Sequence, residues 1–284
     1  MQPSYVKGYV KRGKTDAADA EAICEAVSRP SMRFVPVKSE GEPANAIRPR
    51  ERANQALLMT HKAREFLVRQ QTQIVNASCC KHASGVTRAH LGEFGIVVPK
   101  GIHNVERLII AAEQAELPTA ARKALHLLAD QLVDTRKKIE DLTADIRADA
   151  KANEAAQRLQ TIPGIGPITA SALVSALPDI TEFATGRDLS AWLGLTPRPH
   201  STGGKERLGR ISKMGNRYLR RLLYLGAIAQ VSARRRGKAG EDWLWKIMSR
   251  KKPKQAAIAL ANRMARTAYA LMKNKTIYRA AQAA

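Results

Sequence analysis

Apolar residues recur every three or four positions along most of the chain, which is the spacing of a buried helix face. Thr15 is suited to cap a first helix over DAADAEAICEAV. A long helix is predicted from near Gln55 through LLMTHKAREFLVRQQTQIVNA to the segment SCCKHASG. A short helix over residues 90–94 and a helix over VERLIIAAEQA follow, and Pro118 ends that run. The pattern predicts a mainly α-helical protein.

Two segments of the first half depart from the helical pattern. MRFVPV, at residues 32–37, predicts a strand. The following SEGEPANAIRPRERAN, at residues 39–54, contains two prolines, a glycine and charges of both signs. Such a composition predicts a loop.

The segment after Pro118 has a seam of residues spaced alternately three and four apart. Its members are Leu125, Leu128, Leu132, Thr135, Ile139, Leu142 and Ile146. This heptad spacing with charged flanks favours a coiled coil or a long antiparallel helix pair, and we expect homo-oligomers to form through it. The alternative is an amphipathic helix that packs on its own domain.

The segment LQTIPGIGPITASALVSAL, at residues 159–177, predicts two helices joined by a tight turn. This is the pattern of a helix-hairpin-helix, in which glycines expose backbone N–H groups to a phosphate at a helix N-terminus. Gly164, Gly166 and Thr169 are the candidate contacts. The alternative is a structural hairpin that buries its isoleucines.

The balance of charge favours a polyanionic partner. The 284 residues include 48 Lys and Arg against 25 Asp and Glu, a formal net charge of +23. No stretch has the roughly 18 consecutive apolar residues of a membrane-spanning helix, and the start has no apolar core of a signal peptide, so we expect a cytoplasmic protein. Aromatic residues make up only 5%, which disfavours base stacking as the main binding mode. Trp243 and Trp245 are expected to be packing anchors, and KQAAIALANRMARTAYALM a core helix.

The stretch PRPHSTGGKERLGRISKMGNRYLRRLL, at residues 197–223, sets Ser201 and Thr202 beside two glycines. A hydroxyl can attack a phosphate, glycines allow close approach, and cations stabilise the developing charge. His200 is a candidate general base. The cations of this run are Lys205, Arg207, Arg210, Lys213, Arg217, Arg220 and Arg221. The alternative is an ordinary loop followed by a solvated basic helix.

Asp16 and Asp19 are three residues apart at the start of the first predicted helix, so both fall on one face. Two carboxylates can share a Mg²⁺ whose other ligands are water and phosphate. They can equally interact with the helix dipole and do nothing more. The Cys79-Cys80-x-His82 group lacks the usual spacing of metal ligands.

These motifs together resemble the transposases of the insertion-sequence 110/116/902/1111 group. The resemblance rests on KRGKTDAADAEAICEA, MRFVPVKS, PGIGPITASAL, LGLTPRPHSTGGKERLGRISKMGNRYLRRLL and ALANRMARTAYALM, in that order. It implies a RuvC-like domain with four acidic residues, a coiled-coil region and a C-terminal domain with a catalytic serine. Ser201 is then the nucleophile, with Thr202 the alternative, and Asp16 and Asp19 are two metal-binding members of the acidic set. A guide RNA and DNA are the implied partners.

The resemblance also implies three domains, at residues 1–117, 118–152 and 153–284: an incomplete RuvC-like remnant, a coiled-coil linker and a helical transposase domain with the helix-hairpin-helix. Only 15 residues precede Asp16, and none is acidic. We therefore expect a truncated copy, a weak or absent Mg²⁺ site and little activity in isolation. The alternative function is a nucleic-acid-binding protein that performs no chemistry.

Overall fold

The computed structural model describes residues 16–28, 49–79, 86–97, 105–177, 179–199, 208–237 and 242–279. The chain divides into two compact units, Met1–Pro49 and Arg50–Ala284. In the first unit, helix α1 (Asp16–Val27) covers the predicted segment. It buries Ala22 and Ala26, which lie one turn apart on one face. The strand predicted over residues 32–37 lies outside the described residues, and the three-domain division stays a prediction.

Helices dominate the rest of the described chain, which confirms the mainly α prediction. They are α2 (Pro49–Cys79), α3 (Val86–Glu93), α4 (Val105–Gln114), α5 (Thr119–Ala152), α6 (Glu154–Gln160), α7 (Pro167–Ala176), α8 (Gly186–Trp192), α9 (Arg217–Arg236), α10 (Trp243–Met248) and α11 (Pro253–Asn274). A 3₁₀ turn (Ile180–Glu182) precedes α8. Two short strands, β1 (Pro197–Pro199) and β2 (Leu208–Ile211), lie between α8 and α9.

Helix α2 begins at Pro49, six residues before the predicted start at Gln55. The loop predicted over residues 39–54 is therefore wrong for its last six residues. Proline is well tolerated in the first turn of a helix, where its missing N–H would have no partner. The Arg-Glu-Arg-Ala residues that follow it have high helix propensity.

The seam of α5 packs against other helices of the same chain. Leu125 is buried with residues of α3 and α4, and Leu132 is buried against Ile74 of α2. Further along, Arg64 Nε of α2 donates to Thr143 Oγ1 at 2.7 Å. Residue numbers decrease along α2 as they increase along α5 from one contact to the next, so these two helices run antiparallel.

The buried residues of α5 follow the period of a straight helix more closely than a heptad. They are Leu125, Leu132, Thr135, Thr143, Ile146 and Ala150. Leu128, Ile139 and Leu142 of the predicted seam are only half-buried. A straight helix drifts about 20° per heptad away from a fixed heptad seam, which moves Thr143 and Ala150 into the contact. Self-association through α5 stays a prediction.

The largest apolar core lies among α6, α7, α8, α9 and α11. Helix α9 contributes Leu219, Leu223, Ala227 and Val231, which repeat every four residues along one face. Small residues of α11, including Ala257, Ala261 and Ala265, are fully buried. The alanines of α11 allow close packing of helices, and the predicted core role of this segment is confirmed for that face. In the described part of the chain, no helix has the length and apolar character needed to span a membrane.

A buried polar chain joins α2 to this core. His61, only 1% exposed, has Nδ1 3.1 Å from the Tyr218 hydroxyl and Nε2 3.2 Å from Ser171 Oγ. Ser171 Oγ donates to Asp149 Oδ2 at 3.3 Å. A neutral imidazole that donates from Nε2 to Ser171 and accepts at Nδ1 from Tyr218 therefore gives every group in this row of hydrogen bonds a partner. Burial, with a smaller effect of the Arg64 charge, lowers the pKa of His61 to about 4.

Candidate nucleic-acid interface

Strands β1 and β2 form a two-stranded antiparallel ribbon, with Pro197 opposite Ile211 and Pro199 opposite Leu208. The sequence does not predict this ribbon, because strands of three and four residues have no clear alternation. The two prolines of β1 hold an extended backbone and exclude a helix there. The ribbon brackets residues 200–207, so His200, Ser201, Thr202, Lys205 and Arg207 lie outside the described residues.

The turn after β2 is fixed to the end of α8. Ser212 N donates to Thr196 O at 2.8 Å, and Lys213 N donates to Gly194 O at 3.2 Å. Gly194, with φ +70°, has no room for a Cβ, since one would overlap the backbone of Met214. Glycine is therefore required here both for conformation and for close approach. The packing places the ribbon at a defined position beside α8.

Beside the ribbon lies an open cavity of about 1630 Å³, which we call the basic cleft. Its walls are the ribbon, the start of α8, Trp243 of α10 and one face of α11. Six exposed cationic side chains line it: Arg187, Arg210, Lys213, Lys251, Arg263 and Arg266. None of the described residues that line it is acidic. Like charges brought together without carboxylates create a field that attracts a polyanion.

Helix α11 serves the core and the cleft with opposite faces. Residues three and four apart, Gln255, Ala259, Asn262, Arg263 and Arg266, line the cleft. Asn262 Nδ2 also donates to Leu195 O at 3.3 Å, which fixes this face to the segment before the ribbon. From its sequence, the whole of this helix is expected to lie in the core. The arginines three apart at 263 and 266 were the pattern that could have revealed the second face.

The predicted cationic run is divided by the structure. Arg210 and Lys213 line the basic cleft, whereas Arg217 and Arg221 are exposed on α9 outside its lining. Arg220 has a structural position, because its Nη1 donates to Leu193 O and Met214 O, each at 2.8 Å. Burial, together with the charge of Arg217, lowers the pKa of Arg220. Arg187, Lys251, Arg263 and Arg266 are cleft residues that sequence reasoning missed.

The predicted hairpin consists of α6, a turn and α7, and its three candidate residues have different surroundings. Gly164, with φ +91°, packs its backbone against Gly226 of α9. Thr169 is buried at 7% exposure. Gly166 is exposed and open, and it precedes the first turn of α7, which has no side-chain cap. Of these three residues, Gly166 has the surface that a phosphate would need.

Asp16 and Asp19 both lie in the first turn of α1, as predicted. Residues three apart on a helix share a face, so the backbone is compatible with two carboxylates on one ion. Among the described residues, no group of three or more His, Cys, Asp or Glu side chains is placed to hold a metal. Cys79 ends α2, while Cys80 and His82 lie outside the described residues.

Comparison with known proteins gives consistent matches. Residues 156–241, which contain most of the hairpin, the ribbon and all of α9, match the model of the transposase IS116/IS110/IS902 family. The chain is 42% identical to a putative transposase (y4pF/y4sB) of Sinorhizobium fredii, over 99% of this chain and 68% of that protein. It is 41% identical to a probable family 20 transposase of Pseudomonas aeruginosa, over 98% of this chain and 78% of that protein. It is 38% identical to the transposase for insertion sequence element IS1328 of Yersinia enterocolitica, over 98% of this chain and 77% of that protein.

Proposed function

The chain belongs to the IS116/IS110/IS902 family of transposases, and we propose that it moves an insertion sequence by DNA strand transfer with Ser201 as the nucleophile. The observation that carries the proposal is the basic cleft, whose six cations are unopposed by any described acidic lining residue. A DNA backbone supplies the negative charge that such a surface attracts. The relatives named as transposases support transposition over a protein that only binds nucleic acid.

The ribbon supports the role of Ser201. Pro197 and Gly209–Ile211 belong to the walls of the cleft, and Ser201 follows the end of β1 by two residues. Consecutive Cα atoms are about 3.8 Å apart, so the chain limits the Cα of Ser201 to within roughly 8 Å of that of Pro199. A phosphate held by Arg210 and Lys213 would therefore be near the segment that carries the hydroxyl.

In the proposed step, Ser201 Oγ forms a bond to a backbone phosphorus and the bond from that phosphorus to one sugar oxygen breaks. The serine proton passes to a base, for which His200 is the candidate, and the departing sugar oxygen takes up a proton. The product is a phosphoserine link to a DNA end and a free sugar hydroxyl. Cleft arginines would stabilise the charge that develops on the phosphate oxygens.

The test is the formation of a denaturant-resistant adduct between the protein and an end-labelled DNA carrying the element's end, with Mg²⁺ and the element's transcript present. We expect a low yield of adduct from the unchanged protein, the same yield from Thr202→Ala, and no adduct from Ser201→Ala. Adduct that survives Ser201→Ala and disappears with Thr202→Ala would move the nucleophile by one residue. DNA binding without any adduct would support the non-enzymatic alternative.

DNA binding by the cleft is tested separately with Arg187→Ala and Arg266→Ala. Each should weaken duplex affinity and reduce the slope of log affinity against log salt by about 0.9 for each phosphate that the variant no longer neutralises. Lys137→Ala, an exposed lysine of α5 outside the cleft, is the matched control. An equal decrease in the control would show that binding is spread over the whole basic surface.

We further propose that Asp16 and Asp19 contribute to a Mg²⁺ site and that a structured RNA is the second partner. A bound Mg²⁺ would neutralise the charge of a phosphate that it contacts. The helix face that the two aspartates share supports the first proposal, and the exposed Arg217 and Arg221 outside the cleft support the second. Calorimetric Mn²⁺ titration of Asp16→Asn with Asp19→Asn tests the metal, since binding equal to the unchanged protein would exclude the pair. Competition against labelled duplex DNA tests the RNA, with unrelated RNA of the same length as the reference. A transcript that competes no better than the unrelated RNA would exclude it as a specific partner.

A further inference from the structure

Trp243 has surroundings that its expected role as a core anchor does not explain. It is 37% exposed, whereas the next residue, Leu244, is 8% exposed and belongs to the main core. A large aromatic side chain that is left open to solvent forgoes part of its hydrophobic stabilisation. Its ring instead forms part of the wall of the basic cleft.

The position of the Trp243 ring is fixed from two sides. Asp242 caps α10 by accepting from Trp245 N at 3.0 Å, and it pairs with Arg234 of α9 at 2.6 Å. On the ring itself, the guanidinium of Arg263 lies 4.7 Å from the ring centroid. This distance is within the range of a cation–π interaction, so the guanidinium of Arg263 lies over one face of the indole.

Other cations that suit phosphate line the same cleft as the Trp243–Arg263 pair. Arg266 is one helical turn from Arg263, and Arg187 and Lys251 line the same cleft. A nucleotide has both components that this arrangement can recognise: an anionic phosphate and a base with a π face. In a duplex the bases are stacked on one another and paired, so their faces are not available to a side chain in the protein.

We propose that the basic cleft binds an unpaired stretch of nucleic acid and that one base of it stacks on the Trp243–Arg263 pair. The proposal rests on the proposed function and extends it by stating that the nucleic acid in the cleft is single-stranded rather than duplex. A stack at one position also agrees with the low aromatic content, because cations then provide most of the binding and Trp243 selects single strands over duplex.

The test compares binding of single-stranded DNA, single-stranded RNA of the same sequence and duplex DNA. Trp243→Leu should weaken single-strand affinity by about tenfold, the usual scale of one base stack, and leave duplex affinity unchanged. Trp192→Leu is the matched control, because Trp192 is 39% exposed, packs on Phe183 and lies outside the cleft lining. The strand type with the larger decrease in affinity identifies whether DNA or RNA occupies the position.

A second measurement protects the test against misfolding of the leucine variant. Trp243→Phe keeps a stacking ring, so it should retain most of the single-strand affinity while losing the part of the tryptophan fluorescence quenching that comes from position 243. The chain has three tryptophans, and quenching that persists in full in Trp243→Phe would come from another one and would overturn the proposal.

The remaining outcomes separate this inference from the proposed function. Loss of binding in Arg187→Ala and Arg266→Ala with full single-strand affinity in Trp243→Leu would keep the cleft and overturn the stack. Equal decreases in duplex and single-strand affinity in Trp243→Leu, or an equal decrease in Trp192→Leu, would also overturn it. No effect of any of these variants would remove the cleft itself from the interface.

Discussion

Replacing Gly226 with alanine tests the packing of the hairpin on α9. Gly226 lies inside α9, and an added Cβ would overlap the carbonyl oxygen of Gly164 and lie 3.0 Å from its carbonyl carbon. The obstacle is backbone, which cannot rotate away as a flexible side chain can. The Cε of Met264 would also be 3.4 Å away. The hairpin turn and α9 must therefore separate to accommodate one methyl group.

The two contributions to the free energy of unfolding have opposite signs. Replacing an interior helix glycine with alanine gains up to about 1 kcal/mol from helix propensity. Overpacking a tight contact costs typically about 1–3 kcal/mol, and a rigid backbone obstacle favours the upper part of that range. We expect Gly226→Ala to lower the free energy of unfolding by about 1–2 kcal/mol.

The assay is urea denaturation followed by the helical circular dichroism of each variant. Gly92→Ala is the control, because Gly92 is also helical but an added Cβ would have nothing within 4 Å. It should be neutral or stabilising by up to about 1 kcal/mol. If Gly226→Ala is stabilised as much as Gly92→Ala, the close approach of the hairpin to α9 is refuted.

Three other predictions follow from buried polar groups and from the seam. The pKa of His61 falls from 6.5 to about 4 on folding, so the unfolded chain binds the extra proton and the stability present above pH 6.5 is lost as the pH falls toward 4. This loss of unfolding free energy is about 3 kcal/mol. In urea titrations, the free energy of unfolding of His61→Gln should therefore decrease less between these two pH values than that of the unchanged protein. Identical decreases would contradict the lowered pKa of His61. Leu132→Lys should lower the free energy of unfolding by several kcal/mol in urea denaturation because it buries a charge against Ile74, and a variant as stable as the unchanged protein would contradict this packing. Arg220→Ala should lower the melting temperature more than Arg221→Ala, since only Arg220 donates to the Leu193 and Met214 carbonyls in the described contacts; equal melting temperatures would assign Arg220 to the solvated surface.

Much of the helical framework could be predicted because it depends on local spacing and local chemistry. The first helix begins at Asp16 directly after a capping threonine, and the long helix after Pro118 begins at Thr119. Proline was the less reliable guide at Pro49, where it starts a helix that the pattern placed six residues later. The family could also be recognised, because the order of several long motifs is specific even where each motif alone has an ordinary explanation.

The candidate site was only partly predictable from the sequence. Arg210 and Lys213 were found because they follow the serine motif directly in the chain. Arg187 and Arg266 were not found, because no local pattern shows that the start of α8 and the middle of α11 face each other across one cleft. Charge along the sequence gives the total attraction for a polyanion, but its location depends on distant segments that only the fold brings together.

The sequence by itself determined the helical class, most helix positions, the excess of positive charge and the membership of a transposase family. The tertiary structure decided which of several equivalent chemical groups are free. Arg220 and Arg221 are neighbours of the same type, yet the first donates to two carbonyls and the second is exposed. Gly164 packs against α9 while Gly166 is open, and Trp243 faces the cleft while Leu244 is buried. Periodicity defines the faces of a helix, but the segment that covers each face is set by packing between residues far apart in the chain.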